Sequence, residues 1–233
     1  MQGQYTYSMT RLARIVIPEI AHHVTQRGNR GLPVFLNDGD YDRYRDLVAE
    51  GCAKASVEVL AWCLMPNHVH LVMVPSDAGG LRRALAEAHR RYTTIVNKRE
   101  DWRGHLWQER FHSFPMDDAH LLDAVRYVEL NPVRAKLVAT PEDWTWSSAR
   151  AHVGRRADAL IARKRPAALE GVGPWAAFLA AGLADDSAER LRQHARTGRP
   201  LGHASFVARL EALAGRPLAK KKPGRPKMAA ATE

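Results

Sequence analysis

The chain has 233 residues, 35 of them Lys or Arg and 25 Asp or Glu, giving a net charge of +10 and a pI near 10.0. An apolar share of 45% is enough to build a buried core, no run is long enough to span a bilayer, and two cysteines outside any CxxC pair exclude a disulfide framework and a zinc knuckle. The positive balance points to a polyanionic partner, nucleic acid rather than membrane, because no basic amphipathic helix stands out.

The N-terminus lacks the charged-then-apolar pattern of a secretory leader, and a reducing cytosol suits the free thiols. Residues 13–26 are apolar and β-branched, broken by Pro18, and residues 22–27 read as a first strand that ends in the loop Gly28-Asn29-Arg30-Gly31. A helix follows over residues 40–55, with Asp38 or Asp40 as its cap and Tyr44, Leu47 and Val48 as its apolar stripe. Residues 57–64 and 68–74 form two strands joined at Pro66-Asn67, close enough in sequence to pair as a hairpin. Gly79-Gly80 opens a long helix over residues 81–98, dense in arginine. Residues 102–109 make an ordered loop and residues 111–116 a fourth strand. Asp117-Asp118 caps a helix over residues 119–131, stopped by Pro132. The order β-α-β-β-α-β predicts an α+β, ferredoxin-like fold: one antiparallel sheet with helices on one face. Past residue 153 the chain turns rich in Ala, Arg and Gly, with short helices expected over residues 174–183, 188–195 and 205–213. The expected organisation is a main domain over residues 11–153, a small helical C-terminal extension over 154–218, and a basic, disordered tail over 219–233.

Two local patterns carry candidate chemistry. In His68-Val69-His70, positions i and i+2 of a strand place two imidazoles side by side on one face. Apolar neighbours on both sides make that costly unless the rings are hydrogen-bonded or hold a metal ion. With eleven histidines in the chain, the pattern alone is weak, and a hydrogen-bonded pair at a sheet edge explains it as well. The second pattern is Tyr127 and Asn131, four apart on a helix and thus on one face. A tyrosine hydroxyl is a nucleophile toward phosphorus, and an amide oxygen one turn away could reach the same ion. A core aromatic followed by a helix C-cap is the alternative.

Four segments occur in order: Met65-Pro66-Asn67-His68-Val69-His70-Leu71, Gly104-His105-Leu106-Trp107-Gln108-Glu109-Arg110-Phe111, Tyr127-Val128-Glu129-Leu130-Asn131-Pro132-Val133-Arg134-Ala135 and Trp144-Thr145-Trp146-Ser147-Ser148. Together with Gln26-Arg27-Gly28-Asn29-Arg30 they make residues 11–153 resemble the single-tyrosine HUH transposases, in particular the REP-associated tyrosine transposases of bacteria. The resemblance implies an endonuclease and strand transferase acting on single-stranded DNA with hairpin or palindromic repeats. It implies Tyr127 as nucleophile, a 5′-phosphotyrosine intermediate, and Mg²⁺ or Mn²⁺ held by His68, His70 and Asn131. It also implies a cytoplasmic, nucleoid-associated protein with no membrane partner, and leaves the oligomeric state open. Tyr92, on the long helix, is a rival nucleophile, though Val96 stands where an amide would be needed. A DNA-binding protein of the same fold without catalysis, and a replication initiator or relaxase, are the alternative functions; no P-loop is present.

Arg27, Arg30, Arg82, Arg83, Arg90, Arg91, Arg110 and Arg134 are candidate phosphate contacts, and Trp102 and Trp107 candidate base-stacking platforms. In the tail, Lys221, Lys222, Arg225 and Lys227 surround a Gly-Arg-Pro core that is similar to an AT-hook, a segment suited to the narrow minor groove. A solvated basic tail with general phosphate affinity is the other reading.

Overall fold

The structure is a computed structural model, and it describes residues 14–162 and 166–219. The strands are β1 (His22–Arg27), β2 (Val57–Met65), β3 (His68–Pro75) and β4 (His112–Pro115). Helices α1 (Asp38–Ala55), α2 (Gly80–Glu100) and α3 (Asp118–Glu129) alternate with them, and the short α4 (Asn131–Arg134) and α5 (Ala149–His152) follow. The extension holds α6 (Ala167–Glu170), α7 (Trp175–Ala180), α8 (Asp185–Thr197) and α9 (Ala204–Ala214). The sheet order is β2-β3-β1-β4, antiparallel at every pairing. The expected α+β antiparallel architecture is therefore present.

One part of that expectation needs correction: helices cover both faces, not one. The cause lies in β2 and β3, whose residues are almost all buried, so that both faces of the sheet centre are apolar and both need a cover. On one face Val24, Trp62, Leu64, Leu71 and Met73 pack under α1 and α2. Those helices approach closely at Gly51, where a Cβ would lie 2.2 Å from the carbonyl oxygen of Ala84. On the other face Ala61, Cys63, Val72 and Phe114 pack under α3, joined by Leu169, Trp175, Leu179 and Leu191 from the extension.

Two local expectations also shift. Asn37, not Asp38 or Asp40, caps α1, its side chain accepting from the Asp40 N–H at 3.1 Å. Asp40 is buried instead and pairs with Arg99 of α2, which ties the two helices together. Pro132 does not stop the backbone after Asn131. Lacking an N–H, it interrupts one helical bond and then sits in the first turn of α4, where that N–H is not needed. The chain continues through helical bonds from Arg134 N–H to Leu130 and from Ala135 N–H to Asn131.

Both sheet edges are covered, which removes open templates for pairing. Residues 146–148 run along β2 through Leu64 N–H to Trp146 O at 2.8 Å and Ser148 N–H to Trp62 O at 2.9 Å. Leu201 covers the end of β4, donating to Pro115 O at 2.9 Å. The carboxylate of Glu129, at the end of α3, is fully buried and accepts from Ser148, His152 and, at 2.7 Å, the indole N–H of Trp175. One buried acid thus fastens α3, residues 147–152 and the extension to each other.

Candidate active site

Strand register builds the site. β3 pairs with β1 so that Thr25 lies opposite His70 and Arg27 opposite His68, and the period of two puts His23 on that same face. The rings of His68 and His70 have centroids 4.9 Å apart with planes at 87°. Each Nδ1 is engaged: His68 Nδ1 with Asn67 Oδ1 at 2.6 Å, and His70 Nδ1 with His23 Nε2 at 3.0 Å. Among the described residues neither Nε2 has a hydrogen-bond partner. Burial, followed by the charge of Arg27, pushes His68 down to about 4, and burial followed by its neighbours His68, His23 and Arg27 holds His70 well below the usual histidine range. Both rings are neutral near pH 7: donation from His68 Nδ1 to Asn67 Oδ1 leaves the lone pair on His68 Nε2, while the tautomer of His70 is set by which way its bond to His23 runs. Anchored Nδ1 and unprotonated Nε2 is the arrangement of metal-ligating histidines. Among the described residues no cluster of three or more His, Cys, Asp or Glu side chains forms a metal site. Any ion held here would therefore need ligands beyond the imidazole pair.

Tyr127 reaches the same place from α3. Its half-buried ring stands perpendicular to His70, at 88° with centroids 5.4 Å apart, and lies 5.9 Å from His23. Residues 18–131, which hold the three histidines, Tyr127 and Asn131, match the family model described as "Transposase IS200 like". The domain belongs to the IS200-like transposase family. A Haemophilus influenzae protein named "Putative REP-associated tyrosine transposase" is 28% identical over 121 residues, 47% of this chain and 69% of that protein. The solved structure of a REP-associated tyrosine transposase bound to a REP hairpin is 22% identical and superimposes with a TM-score of 0.54, covering 69% of this chain and 96% of that chain. That likeness shows a shared fold.

Within this transposase domain Tyr92 is not a rival. It lies under the opposite face, fully buried, and donates its hydroxyl to Val34 O at 2.7 Å. Burial raises its pKa far above the ordinary tyrosine value. The sheet itself separates it from the imidazole pair. Asn131 follows Tyr127 by four residues on continuing helical backbone, half-buried, and among the described residues its amide makes no hydrogen bond.

The predicted cationic residues divide between the two faces. Arg27 stands beside His68 across the β1–β3 ladder, and Arg30, with its backbone in the left-handed region, follows in the turn after β1. The guanidinium of Arg134 lies 5.4 Å from the centre of the Tyr127 ring. Arg110 is exposed near the β4 edge, beside Arg14. Arg90 and Arg91 are not at the site: α2 carries them on the other layer, paired with Glu87 at 2.6 Å and Glu50 at 2.7 Å. Arg83 pairs with Asp77 there too. Trp107 cannot stack on a base, being buried against Tyr44, His89 and Tyr92, whereas Trp102 is 47% exposed. Lys221, Lys222, Arg225 and Lys227 lie outside the described residues.

Two site residues escaped sequence reasoning. His23 needed the β1–β3 register, which no local pattern supplies. Arg192 arrives from α8, where its guanidinium is held by Glu189 at 2.8 Å and feels the charge of the nearby Tyr127 side chain. Beside it a concavity of about 320 Å³ is lined by Thr25, Arg27, Gln108, His112 and Arg196. A larger one, about 710 Å³, lies at the other end of the sheet among Glu19, Glu58 and Asp117, away from the histidines.

Proposed function

We propose that this transposase cuts and rejoins single-stranded DNA through a covalent bond between Tyr127 and a 5′-phosphate. The observation that carries the reading is the convergence of Tyr127 with the free nitrogens of His68 and His70 on one face of the sheet. His68 Nε2, His70 Nε2 and the amide oxygen of Asn131 would hold Mg²⁺ or Mn²⁺. A divalent ion bound there would supply Lewis-acid stabilisation of the charge that develops on the phosphate.

The phenol oxygen of Tyr127 forms the new bond to phosphorus, the bond from phosphorus to the 3′-oxygen breaks, and the phenol's proton is replaced on the departing 3′-oxygen. The phosphotyrosine keeps the energy of the broken ester, so attack by another 3′-hydroxyl rejoins strands with no external energy source. Arg192 orients the phenol, and Arg27 and Arg134 supply positive charge for the flanking phosphates. Hard divalent ions favour oxygen ligands, so two imidazoles and one amide would bind such an ion only weakly in the absence of DNA. The relative solved with a REP hairpin supports hairpin-bearing repeats as the substrate class.

The test is incubation of the full chain with a single-stranded oligonucleotide carrying the repeat that flanks its gene, in Mn²⁺. The expected result is a denaturation-resistant protein–DNA adduct that Tyr127→Phe abolishes. Binding without adduct across Mg²⁺ and Mn²⁺ would mean a DNA-binding protein with no strand chemistry.

A further inference from the structure

His23 touches both halves of the site. Its imidazole is 1% exposed and nearly coplanar with that of His70, the planes differing by 12°. Phe114 and Tyr127 stand edge-on to it at 5.3 and 5.9 Å, which confines the ring. One nitrogen, Nε2, meets His70 Nδ1 at 3.0 Å, while the other, Nδ1, is buried and unpartnered among the described residues. An orphaned buried nitrogen destabilises the fold, and an apolar side chain of similar size would avoid that cost. Packing therefore does not explain a histidine here; its one bond does.

The positions of two protons define what that bond can do. An imidazole that offers its Nε2 lone pair to a metal ion carries its proton on Nδ1. In His70 that proton points at His23 Nε2, which must accept it, so His23 carries its own proton on Nδ1. In the reverse arrangement His23 donates from Nε2, His70 holds its proton on Nε2, and no lone pair remains for an ion. The hydrogen bond is the same length either way, but only one state ligates.

We infer that His23 is a positioning residue for His70: by accepting the Nδ1 proton it fixes the tautomer and the plane in which His70 Nε2 can bind a divalent cation. The inference rests on the reading of His68 and His70 as ligands and adds a third histidine that is not one. Position 23 should tolerate any side chain that accepts at this point and fail with one that cannot.

Manganese affinity of the full chain, followed through the electron paramagnetic resonance signal of the free ion, separates these cases without any turnover. His70→Ala is the reference for loss of a ligand. His23→Phe should weaken Mn²⁺ binding by about 10- to 100-fold, the usual effect of removing such a partner. His23→Gln, whose amide oxygen can accept the proton, should recover most of the affinity. Imidazole ¹⁵N shifts in Mg²⁺ should show His70 protonated on Nδ1 in the wild type and the Gln variant, and mixed in the Phe variant. If His23→Phe binds Mn²⁺ like the wild type while His70→Ala does not, the role of His23 is refuted and the ligand reading survives. If His70→Ala also binds like the wild type, both fall. Should the Phe variant not fold, the Gln variant decides alone, and an affinity as low as that of His70→Ala overturns the acceptor role.

Discussion

Under α2, Tyr92 is sealed in an aromatic cluster and gives its hydroxyl to a backbone carbonyl; under α3, Tyr127 stays half-exposed, with imidazoles on one side and guanidinium groups on the other. Both tyrosines sit on helices that cover the same sheet, each within reach of arginine in sequence. The faces they cover differ. The α2 face presents Val24, Leu71 and Met73, whereas the α3 face presents His23, His68 and His70 beside Val72. On the proposed mechanism, a nucleophile is set apart less by its own helix than by which side of the sheet that helix covers.

Replacing each tyrosine separates the faces most sharply. Tyr127→Phe should reduce covalent adduct formation by about 10³-fold or more, as loss of a nucleophile does, with little change in thermal stability. Tyr92→Phe should leave the adduct intact and lower stability by about 1–3 kcal/mol in urea denaturation, because the buried Val34 carbonyl loses its donor. Glu129→Ala tests whether the α3 face depends on its buried acid. Stranding His152, Ser148 and Trp175 should cost about 3–5 kcal/mol and loosen the extension first, seen as faster amide exchange in α7 and α8.

Both faces share one liability in acid. Burial pushes His22, on the α2 side, down to about 4 and His23, on the α3 side, down to about 3, against 6.5 for an ordinary histidine. Below pH 6.5 the unfolded chain therefore binds protons that the folded chain refuses. Stability should be full above that pH and fall as it drops, by about 1.4 kcal/mol per histidine per pH unit until the folded values are reached. Thermal melts between pH 7.5 and 5 check the slope; a flat profile would contradict the burial of these rings. The smallest expected effect is that of Arg192→Ala, which should slow adduct formation roughly tenfold by loosening the phenol while leaving Mn²⁺ affinity unchanged.

Much of this was legible in residue order. The apolar run of β3, the turn at Pro66-Asn67 and the capping aspartate at 117 located the strands and α3 within a residue or two, because each is a local effect. What was not legible depended on contacts distant in sequence. The placement of α3 opposite α1 and α2 follows from a sheet centre apolar on both faces, a property that β2 shows only when both sides of its run are counted. His23 looked like an ordinary strand residue until β1 paired with β3, and Arg192 lies 65 positions after Tyr127 with no shared motif. The arginines of α2 looked like phosphate contacts; Glu87, three residues before Arg90 on the same helix, was a local clue, but Glu50, the partner of Arg91, is visible only once α1 and α2 are packed.

The measurement closest to the central claim is peptide mapping of the covalent adduct. The adduct formed in Mn²⁺ is digested with nuclease and protease, and the peptide carrying the residual nucleotide is sequenced by mass spectrometry. The account predicts the modification on Tyr127 alone, lost when His68 and His70 are both replaced by alanine. A nucleotide on Tyr92, or on Tyr127 at undiminished yield without the two histidines, would contradict it.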